Sequence, residues 1–483
     1  MTGFLDLSNE LLSIIALFVE RSSLQSLALV NKHIHHICEP LLLKHQWLHK
    51  KWAYVGVCLI EFDGKLGESF LLLLKAVFQE PNITWYIRHI DTQLDERGGR
   101  WADKMLSCLD EGDDYDRKIE NLQAQVPVTS LIHDSSRQAW LNALKVYRNS
   151  VVKLFLPLLP RLRTLSFGEH HEIGAVQCRL PGKKDIYLGL KSISFFDREN
   201  RSIHVNNAIK CTWLPSLEEL TATGLHYGIS LENPPQGKDR CPMRKLRLLS
   251  SGLDVDAVEA LLQGVRQDNS YGLQHFVYSH HNIDFDYAHQ IFDGPRLLEV
   301  LSRNCSNTLT ELEMDIAESE YRISHTSLED CSEIGYFPTL GPTLKKLDQV
   351  KTLWINCDML VDGWYTCREH HIDTERDGFI FEISQTRLCD ILPKSVQTLY
   401  ITSKSYPIAA KIVIEQLLTL LEEDYDEVPN LRQLGLNWGT PELEWYTRLS
   451  RACMDRGIKL LCSTDFPSPT ERHSQVDGLR ILR

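Results

Sequence analysis

The chain has 483 residues, 43% of them hydrophobic, with 52 Lys and Arg against 65 Asp and Glu and a net charge of −13. That length and apolar share predict two or three domains or one solenoid, and the acidic balance argues against nucleic acid or an anionic membrane as the main partner. No apolar run reaches the roughly eighteen residues that a membrane helix needs. The N-terminus has no basic lead and mixes Asp6, Glu10 and Glu20 into its apolar residues, unlike a signal peptide. The thirteen cysteines are scattered singly with no C-x-x-C pair, the pattern of reduced intracellular thiols and not of a disulfide framework or zinc module.

Residues 4–50 read as three short amphipathic helices. Leu7, Leu11, Ile14 and Phe18 recur at helical spacing and mark one face of the first. Ser22 with Gln25 forms a capping box that opens the second, whose stripe is Leu27, Val30, Ile34 and Ile37. Glu39–Pro40 ends it, since a proline disfavours helical geometry in the residue before it, and Pro40 then opens a third helix over Leu41–Leu48. Three helices of this length cannot bury so much leucine and isoleucine among themselves, so the apolar excess calls for a partner.

This segment resembles an F-box, the docking module of Skp–cullin–F-box ubiquitin ligases. The family's opening Leu-Pro-x-Glu-[Leu/Ile] stands here as Leu7-Ser8-Asn9-Glu10-Leu11. Its second-helix run is matched by Leu24, Leu27, Val30, Asn31 and Lys32, and the closing Pro-Leu-[Leu/Phe]-[Tyr/Leu] of fungal members by Pro40-Leu41-Leu42-Leu43. Ser8 replaces the family proline and is itself a good helix cap. The resemblance implies a three-helix F-box over 1–50 that binds a Skp-type adaptor, and through it a cullin, by way of Leu7, Ser8, Leu11, Leu24, Leu27, Val30 and Asn31.

Residues 51–155 read as a helical connector that caps the domain after it. Leu66–Phe78 is strongly apolar, Thr84–Ile90 is strand-like, Asp110–Asp116 is an acidic solvated loop, and Arg137–Leu156 is a long helix.

From residue 156 to 462 an apolar-x-x-apolar-x-apolar pattern repeats. It occurs at Leu162-Leu165-Phe167, Leu190-Ile193-Phe195, Leu217-Leu220-Ala222, Met243-Leu246-Leu248, Leu273-Phe276-Tyr278, Leu309-Leu312-Met314, Val350-Leu353-Ile355, Val396-Leu399-Ile401 and Leu431-Leu434-Leu436. Each triplet predicts a short strand with its apolar side chains inward, followed by a helical return to the next parallel strand. Helical stripes at 255–265, 296–301, 381–392, 412–421 and 443–454 support the returns. Wider spacings predict insertion loops at Ala317–Ser332 and Asp362–Asp377. The array resembles a degenerate leucine-rich repeat. The family's asparagine or cysteine, three residues past each triplet, falls instead on His170, Arg198, Leu225, Ser251, His281, Ala317, Asp358, Lys404 and Gly439. Residues 463–483 have the composition of a flexible tail.

The predicted fold class is therefore α/β: an N-terminal three-helix F-box followed by a degenerate leucine-rich-repeat solenoid, with parallel strands inside and helices outside. No nucleophile elbow, glycine-rich phosphate loop or H-E-x-x-H motif is present. His33, His35 and His36, and Cys367 with His370 and His371, lack the other ligands of a metal site. No metal, cofactor or catalytic residue is expected, and acidic groups such as Glu311, Glu313 and Glu422–Asp424 read as solvated faces. The resemblance implies a non-catalytic substrate receptor of the cytoplasm or nucleus, with a protein target and neither nucleic acid nor membrane as partner. A scaffold that binds the adaptor without directing ubiquitylation, and an enzyme hidden in residues 356–377, are the alternatives. Strand alternation places Thr352, Trp354 and Asn356, Tyr400 and Thr402, and Gln433 and Asn437 outward, as the expected target face.

Overall fold

The computed structural model describes residues 7–19, 21–57, 68–91, 155–167, 189–195, 203–226, 231–235, 240–267, 272–280, 292–316, 322–323, 332–336, 339–361, 363–368, 380–383, 386–403, 407–437 and 443–462. These fall into two compact units, Met1–Ile193 and Ser194–Arg483. The acidic run at 110–116, the helix expected over 137–156 up to Phe155, and the tail lie outside the described residues.

The first unit opens with α1 (Asn9–Phe18), α2 (Arg21–Ala28) and α3 (Lys32–Trp52). Three helices are present as expected, but the boundaries are not where the motifs put them. The second helix stops at Ala28 instead of running to Glu39, because Asn31 is extended (φ −160°, ψ 172°) and its side chain accepts a hydrogen bond from Ile34 N at 2.8 Å. An asparagine that caps a new helix competes with continuation of the old one. Pro40 then sits inside α3 instead of between two helices. An interior proline costs about 3 kcal/mol. Burial of Ile34 and Cys38 before it, and of Leu48 and Trp52 after it, offsets that cost.

After α3 come β1 (Tyr54–Gly56), α4 (Glu68–Gln79) and β2 (His89–Asp91), with β3 (Thr164–Phe167) later in the chain. The strands run parallel in register Tyr54–His89–Thr164, so the described part of the connector is mixed and not purely helical. Of the stretch read as a strand over Thr84–Ile90, Thr84 and Trp85 end a 3-10 turn, Pro81–Trp85, held by Thr84 Oγ1 donating to Pro81 O at 2.7 Å, and only His89 and Ile90 join β2. Phe70 of α4 meets Phe155 edge-on, with ring centroids 5.3 Å apart, inside the core of this unit. Strand β4 (Ser192–Phe195) spans the sequence position where the units divide.

The second unit is a large parallel sheet with helices in its connections. In chain order its strands include β5 (Ile203–His204), β6 (Glu219–Thr223), β7 (Leu225–His226), β8 (Lys245–Ser251), β9 (His275–His280), β10 (Glu311–Ile316), β11 (Arg322–Ile323), β12 (Ser332–Tyr336), β13 (Thr352–Asn356), β14 (Gly363–Arg368), β15 (Ile380–Ile383), β16 (Thr398–Thr402), β17 (Gln433–Asn437) and β18 (Lys459–Cys462). Strands β6, β8, β9, β10, β13, β16, β17 and β18 lie side by side, each parallel to the next. Helices α5 (Val205–Cys211), α6 (Val255–Gln263), α7 (Gly294–Cys305), α8 (Pro407–Glu422) and α9 (Leu443–Asp455) form returns. Asp254 and Asp293 cap α6 and α7 by accepting from Ala257 N at 2.7 Å and Arg296 N at 3.0 Å.

Every described side chain of the nine triplets is buried, from Leu162 and Leu165 through Leu431, Leu434 and Leu436. The triplets are core, as their spacing predicts. The stripe read as helical over 381–392 is instead β15 followed by a single helical turn, Leu388–Ile391. The insertions are not plain loops either: β11, β12, β14 and β15 form a second, antiparallel sheet in that order. Its central strands come from insertions on either side of β13, so no hairpin turn announces their pairing in the sequence.

Where the asparagine ladder of a regular repeat is absent, other polar side chains serve buried backbone. Ser251 Oγ accepts from Leu225 N at 3.2 Å and donates to Leu249 O at 2.9 Å. Tyr278, 1% exposed, donates to Leu253 O at 3.0 Å. Buried polar groups need such partners to avoid a desolvation penalty.

Candidate functional site

The first expected site lies on the three N-terminal helices. Leu12, Ala16, Leu24, Ala28, Ile34 and Cys38 form their core, with Leu7, Leu27 and Ile37 packed half-buried against it. The inward face of α1 is thus Leu12 and Ala16, not the expected Leu11–Ile14–Phe18 stripe. That stripe faces out: Leu11 and Ile14 are each 49% exposed and Phe18 85%, with Leu17 beside them at 64%. Helix α1 is apolar on both sides: one face serves the helical core, and the other is uncovered among the described residues.

The seven expected docking residues separate accordingly. Leu11 and Val30 are exposed and available, whereas Leu24, at 1% exposure, belongs to the core and cannot be a contact. Leu7 and Leu27 are half-buried supports. Ser8 caps α1, its hydroxyl facing Leu11 N at 3.5 Å, and Asn31 caps α3. Sequence reasoning missed Ile14, Leu17, Phe18, Leu29, Leu43 and Trp47 as exposed apolar groups. The signal for Leu17 and Phe18 was present in a helix apolar all round, which is stable only when covered on every side.

The second expected site lies on β13, β16 and β17. The register aligns Thr352, Thr398 and Gln433 in one row and Trp354, Tyr400 and Gly435 in the next. Trp354 and Tyr400 stack with ring centroids 3.7 Å apart at 25°, and Gln433 Nε2 donates to Tyr400 Oη at 2.6 Å. Trp354 is only 9% exposed, so it backs Tyr400 and is not itself a free contact. Asn356 is fully buried, accepting from Asp358 N at 3.1 Å and donating to Asp315 Oδ1 at 3.3 Å. It caps the turn Cys357–Leu360. Thr402 is buried as well. The outward alternation therefore fails at Trp354, at Asn356, where the strand gives way to a turn, and at Thr402. Thr352, Tyr400, Gln433 and Asn437 keep partial exposure.

Neither a protein-family model nor a curated protein matches this chain.

Several charged groups on the neighbouring strands lie close to one another. Lys245 Nζ lies 3.3 Å from Glu219 Oε1, and His275 Nδ1 lies 3.4 Å from Glu311 Oε2. Glu422 binds Arg448 at 2.5 Å and Asp424 binds Arg387 at 3.2 Å, so these acids hold surface ion pairs. Among the described residues, no three His, Cys, Asp or Glu are placed to hold a metal, and no helix is long and apolar enough to cross a membrane. Cys367 sits on β14, not in a loop, opposite Glu333; His370 and His371 lie outside the described residues. Cys38, Cys211, Cys241, Cys305, Cys357, Cys389 and Cys453 are free and buried.

Burial holds His275 below its ordinary pKa, against the upward pull of Glu311. A histidine so lowered is neutral in the fold and gains its proton first in the unfolded chain. Its contribution to stability is complete above about pH 6.5 and is lost as pH falls through the folded value. We expect thermal melts of the parent to fall more between pH 7.5 and 5.5 than those of His275→Gln. Equal pH sensitivity in both would exclude His275 as a source of the effect.

Proposed function

We propose that the chain is the substrate-recognition subunit of a Skp–cullin–F-box ubiquitin ligase, with residues 1–50 as the F-box and 156–462 as a leucine-rich-repeat-like receptor. The observation that carries this reading is the uncovered apolar face of α1, on a segment whose residues resemble the family motif. An exposed apolar surface of this kind needs a partner. The adaptor occupies that face, with Leu11, Ile14, Leu17 and Phe18 as contacts, Val30 beyond α2 as a further one, and Ser8 and Asn31 fixing the helix ends. The target occupies the strand face around Tyr400, Gln433, Thr352 and Asn437, with Trp354 as the platform behind Tyr400. Tyrosine backed by a rigid ring suits a binding hot spot, since its contact surface is ordered before binding. The chain itself does no chemistry. It raises the effective concentration of a target lysine near the conjugating enzyme, in the cytoplasm or nucleus.

The test is a pull-down from cells with the proteasome blocked, comparing the intact chain with one lacking residues 1–50. The reading expects an adaptor and a cullin only with the intact chain, and ubiquitylated targets only then. Recovery of adaptor without cullin or ubiquitylated species would favour the scaffold alternative. For the target face, Tyr400→Ala with Gln433→Ala is expected to keep adaptor recovery and lose targets about tenfold or more, the loss of one aromatic anchor. Unchanged target recovery would rule this face out.

A further inference from the structure

The first unit contains a cavity of about 580 Å³ between helices α2 and α3 and the 85–88 segment, with Arg161 at its margin. Among the described residues its charged and titratable lining is basic, His35, His45, His49, Lys50, Arg88 and Arg161, with Gln25 and Gln46 as neutral polar neighbours. This is unexpected in a chain of net charge −13. Among the described residues, Lys50, Arg88, Arg161 and the nearby Arg163 have no carboxylate partner. Arg88 Nε is buried with no hydrogen-bond partner. A buried guanidinium N–H normally finds an acceptor, and among the described residues none serves this one.

Burial, Arg163 and Arg161 together push the Arg88 guanidinium below its ordinary pKa, the signature of like charges crowded without compensation. Arg88 and Arg161 remain charged at any physiological pH. The rest of the described wall mixes Ala28, Leu29, Leu42, Trp85 and Tyr86 with Gln25 and Gln46. Trp85 is 45% exposed, with the Arg161 guanidinium 5.3 Å from its ring centroid, and Tyr86 is fixed by a hydrogen bond with His45.

We propose that this cavity binds a small organic phosphate, its phosphate held by Arg88, Arg161 and Lys50 and its organic body against Trp85 and Leu42. Two guanidinium forks and an ammonium match a dianion that accepts several hydrogen bonds, where a carboxylate would leave charge over. The cavity volume falls within the roughly 300–1,000 Å³ of small-molecule sites. None of the residues proposed to dock the adaptor lines it, so the inference stands apart from the ligase reading.

Calorimetric titration of the full chain with phenyl phosphate, and with benzoate as the carboxylate counterpart, tests it. Phenyl phosphate is expected to bind at least about tenfold more tightly than benzoate, and Arg88→Gln with Arg161→Gln to lose about tenfold or more, the loss of two charge-assisted contacts. Arg88→Gln alone is expected to melt no lower than the parent, since it relieves like-charge crowding, whereas a structural role for Arg88 would lower the melt. No preference over benzoate, binding unchanged in the double variant, or a destabilised Arg88→Gln would overturn the assignment. A phosphoserine peptide binding about tenfold more tightly than phenyl phosphate would overturn it in favour of a phosphorylated protein.

Discussion

A Leu11→Asp, Phe18→Asp variant is expected to lose binding to the Skp-type adaptor by roughly a hundredfold or more while keeping the melting behaviour of the parent. Both side chains are exposed in the chain alone, so two carboxylates there cost the fold little. In an apolar interface the same carboxylates would be stripped of water with no partner, which costs several kcal/mol for a charge that stays ionised. Leu24→Asp supplies the contrast. Leu24 is 1% exposed in the helical core, so its substitution should unfold the three-helix segment and abolish binding by that route. Affinity by titration and helix content by circular dichroism separate the two cases. A folded Leu11→Asp, Phe18→Asp protein that binds the adaptor as the parent does would remove α1 from the interface.

The difference between Leu24 and Leu11 also marks what could be read in advance. Helix existence on residues 9–52 was legible from apolar spacing, but helix phase was not. In α1 nearly every non-polar position fits some stripe, and only packing against Ile34 and Cys38 decides that Leu12 and Ala16 turn inward. Pro40 misled because local geometry argues for a break there, while burial along the whole of α3 holds the helix through it. The triplets were legible for the opposite reason. Two inward positions in each strand and a recurring anchor specify face and register together, as Leu353, Leu399 and Leu434 show by aligning across β13, β16 and β17. The sheet formed by β11, β12, β14 and β15 stayed hidden because its partners are distant in sequence. At the target face, Tyr400 and Gln433 followed from alternation. Asn356 and Thr402 did not, since at the strand end a polar side chain turns in to cap a turn or fill a buried corner. The basic cavity left no local motif at all: His49, Arg88 and Arg161 are brought together only by folding.

Leu399→Ala is expected to destabilise the second unit by about 2–5 kcal/mol, the usual cost of emptying a leucine-sized volume in a packed core. Leu399 is fully buried and lies in register between Leu353 of β13 and Leu434 of β17, which are themselves fully buried. The space it leaves is walled on both sides by strands that hydrogen-bond to its own, so the backbone cannot collapse into it without breaking the ladder. The damage should therefore spread to neighbours. Amide hydrogen exchange is expected to speed up in β13 and β17 as well as in β16, because strands in a stacked array rely on adjacent ones for stability. Thr398→Ala, one residue earlier and half-buried on the other face, should change stability far less. Loss of Leu399 also loosens the strand that carries Tyr400, whose ring is held by Trp354 and whose hydroxyl is held by Gln433. Target recovery should then fall in proportion to the unfolded fraction and return on cooling. A Leu399→Ala protein that melts like the parent, with exchange unchanged in β13 and β17, would mean that this leucine does not face the core.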